Sequence, residues 1–137
     1  MSKQTSRIHV VGVMSSARLD GNTATLVREA LKGAEEEGAV VTEVALAQYR
    51  INFCQGCLQC MAAGRCPAAD DFEAIRKQLN DAHGIILSSP TYGAAPSAMM
   101  KNVLDRLGLF EYFTSSSFGG KYVVSISTAN SAGAAKK

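Results

Sequence analysis

The sequence predicts one α/β domain built on a doubly wound parallel sheet. Three observations carry this prediction. Short apolar runs rich in valine and isoleucine alternate with amphipathic helical segments. Runs such as Ile85-Ile86-Leu87 are continuous rather than alternating, as expected for strands buried on both faces. The 137 residues, 47% hydrophobic and 19% charged, suit one globular domain. A chain of this size buries about two-thirds of its unfolded surface.

Taken in order, Ile8–Val13 is a buried strand. A polar turn, Ser15 to Thr23, leads into a helix from about Asn22 to Glu37. Val27, Ala30, Leu31 and Ala34 share one helical face. Asn22 or Thr23 suits the N-cap, and Gly38 the end. Valine-rich Ala39–Leu46 is the second strand. About twenty aperiodic residues follow, with all four cysteines. Asp70 and Glu73 then suit a capping box ahead of the stripe Phe72, Ile75 and Leu79. Gly84–Ser88 is the third strand. Pro96 fits the first turn of a helix whose buried face is Met100, Val103, Leu104 and Leu107. Lys121–Thr128 is the fourth strand.

A net charge of +2 does not mark nucleic-acid or membrane-surface binding. No apolar run approaches the roughly 18 residues of a membrane span. The polar Met1–Arg7 start does not resemble a secretory signal. The expectation is a reducing, cytoplasmic compartment, where cysteines serve as metal ligands or redox groups more often than as disulfides. His9, His83, Met99 and Met100 read as structural residues and Glu35-Glu36-Glu37 as a solvated helix end. No Ser-His-Asp set or hydrolytic carboxylate pair stands out, so no catalytic side chain is assigned.

In a doubly wound sheet the ligand lies beyond the carboxyl ends of the strands. The loop after the first strand carries hydroxyls, Arg18, Asn22 and Gly21 at a helix start, where free N–H groups and the dipole favour a phosphate. It is neither a G-x-G-x-x-G fingerprint nor a P-loop, and an ordinary capped polar loop is the alternative. After the third strand, Pro90 and Pro96 stiffen a loop in which Tyr92 can lie against a flat ring and Gly93 permits close approach.

Ser16-Ala17-Arg18-Leu19-Asp20-Gly21-Asn22-Thr23 resembles the S-x-R-x-x-G-N-[ST] phosphate loop of the NADPH-dependent FMN reductases. Ser89-Pro90-Thr91-Tyr92-Gly93 is similar to their flavin-ring loop. The resemblance covers nearly the whole chain. It implies a flavodoxin-like, three-layer α/β/α domain over residues 1–137. By this likeness Ser16, Arg18, Asn22 and Thr23 hold the FMN phosphate. Pro90, Thr91, Tyr92 and Gly93 line the isoalloxazine, and Thr128, Ala129 and Asn130 approach its other side.

Cys54, Cys57, Cys60 and Cys66, in an insertion at about 52–68, are spaced C-x2-C-x2-C-x5-C. The first three match the start of the bacterial ferredoxin run. A zinc site more often shows two separated C-x2-C pairs. The pattern resembles that of the iron–sulfur flavoproteins, a branch of the same group, and by that likeness the four hold one [4Fe–4S] cluster near the flavin. A purely structural cysteine-rich loop is the alternative.

The implied activity is an FMN-dependent oxidoreductase drawing on a small-molecule or protein electron donor, NAD(P)H among them, and serving a similar acceptor. An NAD(P)H-dependent FMN or quinone reductase without a cluster is the second reading. A zinc-stabilised, non-enzymatic interaction module is the third. The family likeness also implies a homodimer or homotetramer. A flavodoxin-like sheet has five strands, and four are found in the sequence. The expectation is a chain cut short after the fourth strand, or an edge satisfied by another subunit.

Overall fold

The computed structural model describes residues 7–113 and 118–130. Most of the polar start discussed above lies outside the described residues. The elements are β1 (His9–Met14), α1 (Asn22–Glu36), β2 (Val40–Ala45), a 3-10 turn (Leu46–Gln48), α2 (Gln59–Ala63), α3 (Phe72–Asp81), β3 (Gly84–Tyr92), β4 (Ala95–Pro96), α4 (Ala98–Phe113) and β5 (Tyr122–Thr128). β2, β1, β3 and β5 lie side by side and parallel, and β4 folds back antiparallel on the end of β3. This is the flavodoxin-like order over its first four places. No helix among the described residues is long and apolar enough to cross a membrane.

The core divides across the sheet. Phe72, Ile75 and Leu79 of α3 and Met100, Val103 and Leu107 of α4 pack with Val11, Val13, Val44 and Ile85. Val27 and Leu31 of α1 pack against Ile86. At Gly12 the helix comes so close that an added Cβ would lie 2.8 Å from Val27 Cγ1 and 2.9 Å from Leu31 Cδ1. Gly12→Val is therefore expected to overpack this face and cost about 1–3 kcal/mol, read as a lower urea midpoint at unchanged slope. An unchanged midpoint would show that α1 does not rest on Gly12.

Several local expectations are corrected. β3 runs four residues past Ser88. Register with β1 stops at Met14↔Ser88, while β5 continues to Pro90↔Thr128. Pro90 thus has a strand neighbour on one side only, where a missing N–H is tolerated. Pro96 lies in β4 rather than in a helical turn, and Ser97 caps α4 by accepting Met100 N–H at 3.3 Å. Gly93 and Ala94 join β3 to β4, both left-handed at φ 57° and 61°, as a two-residue hairpin turn requires. The N-cap of α1 is Gly21, without a side-chain cap, and its buried stripe is Thr23, Ala24, Val27 and Leu31, with Ala30 exposed. The capping box at Asp70 and Glu73 does not form. Asp70 accepts Phe72 N–H, while Glu73 accepts Cys66 N–H at 3.0 Å and pairs with Arg76. β5 forms one edge of the sheet among the described residues, and Tyr122, Val123 and Val124 are exposed.

Candidate functional site

β1, β3 and β5 end on the same side of the sheet, and there the chain forms a cleft of about 260 Å³. Ser16, Arg18, Asn22 and Thr23 line it from the first loop, and Pro90, Thr91 and Tyr92 from β3. Thr128, Ala129 and Asn130 line it from β5, together with Gly21. Gly93, the remaining expected ring-loop residue, sits in the adjoining hairpin turn and outside the lining. Thr23 Oγ1 bonds Thr128 Oγ1 at 2.8 Å, and Thr91 Oγ1 bonds Ser127 Oγ at 3.0 Å, tying the walls together. Ser16 Oγ accepts Arg18 N–H at 3.1 Å and curls the loop. The α1 start meets the cleft with no side chain capping its first N–H groups. Tyr92 is half exposed and offers a ring face.

A serine network that sequence reasoning missed stands behind the cleft. Ser15 N–H and Oγ both donate to the Ser88 carbonyl, at 3.0 and 2.9 Å. Ser97 Oγ donates to the Ser15 carbonyl at 2.8 Å, and Ser97 N–H donates to Ser89 Oγ at 2.9 Å. These buried bonds fix the ends of β1 and β3 against the start of α4. The one available signal was a serine at the end of each strand.

The four cysteines, all free thiols, line a second cleft of about 370 Å³ with Asn52, Phe53, Pro67 and Arg106. Cys60 is buried on α2, Cys66 half-buried, and Cys54 and Cys57 exposed on a segment without regular structure. Burial pushes the Cys60 thiol up, and Cys66, Cys54 and Cys57 add to the effect. The expected convergence on one metal centre is not seen. Among the described residues no three His, Cys, Asp or Glu side chains are gathered closely enough to hold an ion. Cys60 is held in the core by α2 while Cys54 and Cys57 lie on exposed irregular backbone, so the thiols sit at different depths of the cleft wall.

The profile of the NADPH-dependent FMN reductase family matches residues 8–137. The chain belongs to that family. An iron-sulfur flavoprotein of Methanocaldococcus jannaschii is 44% identical over 97 residues, 71% of this chain and 50% of the relative. Another, of Archaeoglobus fulgidus, is 34% identical over 116 residues, 85% of this chain and 52% of the relative. The chain spans about half the length of these curated relatives. Among solved structures, an NAD(P)H:quinone oxidoreductase from Methanothermobacter marburgensis superposes with a TM-score of 0.71 at 15% identity, over 90% of this chain and 66% of that one. An NADH:FMN oxidoreductase in its apo form gives 0.68 at 17% identity, over 93% and 61%. At such identities the likeness shows the fold alone.

The first cleft of this FMN reductase family member fits the family's cofactor by chemistry. An uncapped helix start and the Ser16 and Asn22 side chains suit a phosphate, and Tyr92 and Pro90 suit a flat ring. The second cleft fits an anionic thiolate-bound centre by donor type, and a buried cation lines it. That cation, Arg106, was also missed in the sequence. It is 2% exposed and sits between Val103 and Leu107 on the buried face of α4, where an arginine breaks the apolar stripe. Four residues earlier on the same face, buried Asn102 donates to the Ile51 carbonyl at 3.1 Å.

Proposed function

We propose that this chain is an FMN-dependent oxidoreductase of the iron–sulfur flavoprotein type. The observation that carries the reading is one cleft at the carboxyl ends of β1, β3 and β5, in which the S-x-R-x-x-G-N-T loop faces Pro90-Thr91-Tyr92. Ser16, Arg18, Asn22, Thr23 and the α1 start bind the phosphate. Pro90, Thr91 and Tyr92 orient the ring on one side, and Thr128, Ala129 and Asn130 bound it on the other. FMN, when bound, would supply the two-electron redox chemistry, with NAD(P)H the class of donor and a small molecule or protein the acceptor. The protein's part is placement, so no side chain acts as acid or base.

Cys54, Cys57, Cys60 and Cys66 hold a [4Fe–4S] cluster in the second cleft. The shared cleft and the names of the two relatives support this. Purified protein is expected to bind FMN with flavin absorbance, and anaerobic reconstitution to give about four irons per chain. Flavin without iron would leave the plain FMN or quinone reductase. A colourless protein with one zinc would leave the interaction module.

A further inference from the structure

Arg106 is tied down on one edge only. Its Nη1 donates to Asp70 Oδ2 and, at 3.2 Å, to the Asn52 carbonyl. Its guanidinium carbon lies 4.0 Å from the Phe72 ring centroid. The Asp70 side chain is fully buried and the Arg106 side chain 2% exposed. The other edge, Nε–H and Nη2–H, is buried and reaches no acceptor at full hydrogen-bond geometry among the described residues, with the Cys66 thiol its one neighbour of that kind in the cleft. Burying such donors unsatisfied costs free energy, so the orphaned edge marks a place for an acceptor. Arg106 lines the cleft that all four cysteines line. Cys66 lies near enough to act on the guanidinium. Burial pushes Arg106 down, but Asp70 and Cys66 outweigh it and hold the side chain above its ordinary value. Like any arginine, it stays charged at any working pH.

We propose that Arg106 is a positioning residue for the cysteine cleft, whose free Nε–H and Nη2–H edge donates to the sulfur of an anionic, thiolate-ligated centre and offsets its negative charge. Asp70 and Phe72 hold the guanidinium in place at the cleft wall. A fixed cation beside a sulfur-ligated centre favours the form with one more electron, and hydrogen bonds to sulfur act in the same direction. Arginine suits this task better than lysine, because its planar fork holds Asp70 with one edge and presents donors with the other.

This inference rests on the cluster reading above, and its test separates the two. Removing Arg106 alone leaves Asp70 buried and unpaired, so the principal variant is the neutral pair Asp70→Asn/Arg106→Met. The asparagine keeps an acceptor for the neighbouring N–H groups, and the methionine fills the space over Phe72. Both proteins are reconstituted anaerobically with iron and sulfide, iron per chain is counted, and the centre's midpoint potential is measured by spectroelectrochemistry. Both are expected to load. The variant's centre should be at least tenfold harder to reduce, 59 mV for one electron. Equal potentials in loaded proteins would overturn the role of Arg106 and leave the cluster reading standing. No iron in the native chain would overturn both. Should the pair variant fail to fold, Asp70→Asn/Arg106→Gln decides: it removes the charge but keeps a polar side chain over Phe72, and a potential equal to that of the native chain would overturn the proposal.

Discussion

Asp70→Asn is expected to cost about 3–5 kcal/mol of stability, the usual effect of stranding one partner of a buried ion pair. The carboxylate accepts from Arg106, from Asn52 N–H at 2.8 Å and from Phe72 N–H at 3.1 Å. Asparagine retains one acceptor oxygen, but Arg106 then keeps its charge without a counter-ion. The effect should also depend on pH. Burial would push the Asp70 carboxyl up, but Arg106 and the two N–H groups outweigh it and hold it below its ordinary value. A carboxyl lowered by folding stabilises fully above its unfolded value, about 3.9, and loses that contribution as pH falls through the folded value. The gap between native chain and variant should therefore be flat from about pH 5 upward and narrow below about pH 4. Urea denaturation at several pH values checks this. A gap that widened on acidification would show that Asp70 is not the group holding the charge.

Arg18→Ala is expected to weaken FMN binding by about 1.5–3 kcal/mol, the worth of a charge-assisted hydrogen bond. Arg18 is exposed, and among the described residues its guanidinium has no carboxylate partner. The free protein's stability should therefore shift by no more than about 0.5 kcal/mol. Riboflavin lacks the phosphate. It should bind the native chain more weakly than FMN does, and its affinity should not change on substitution. Flavin fluorescence titration with both ligands separates phosphate recognition from a general loss of the cleft. If riboflavin and FMN lose affinity equally, Arg18 acts on the ring side or on the loop's shape.

What the sequence made legible follows physical range. β1, α1 and the first loop were readable because an apolar run, a hydroxyl-rich turn and a helical period are local signals. The two flavin-loop motifs were readable for the same reason, and the sheet does bring them to one cleft. The end of β3 was not. Ser89-Pro90-Thr91-Tyr92 has no apolar run; Ser89 and Pro90 are strand because distant β5 pairs with them, and Thr91 and Tyr92 because β4 folds back on them. The capping box failed because Glu73 is drawn to Cys66 N–H and Asp70 to Arg106, partners outside the helix. The alternative use of Thr23, bonded to Thr128, was likewise invisible locally. The cysteine spacing was plain, but spacing says nothing of which thiol the core takes up: Cys60 is buried, Cys54 and Cys57 are exposed.

The two aspartates ahead of α3 have one further consequence. Asp71 accepts Arg50 N–H at 2.7 Å and returns its own N–H to the Arg50 carbonyl at 3.0 Å, while Asp70 accepts Asn52 N–H. The chain thus leaves the scaffold at 50–52 and rejoins it at 70–72 at one clasp. The stretch between is a closed excursion, pinned inside by Cys66 N–H on Glu73, by the Gly64 carbonyl on Arg76 and by buried Cys60. In hydrogen exchange it should open as its own unit while β1 and β3 stay protected. Such a clasp lets the segment between its ends loosen while the strand ends at the first cleft keep their places.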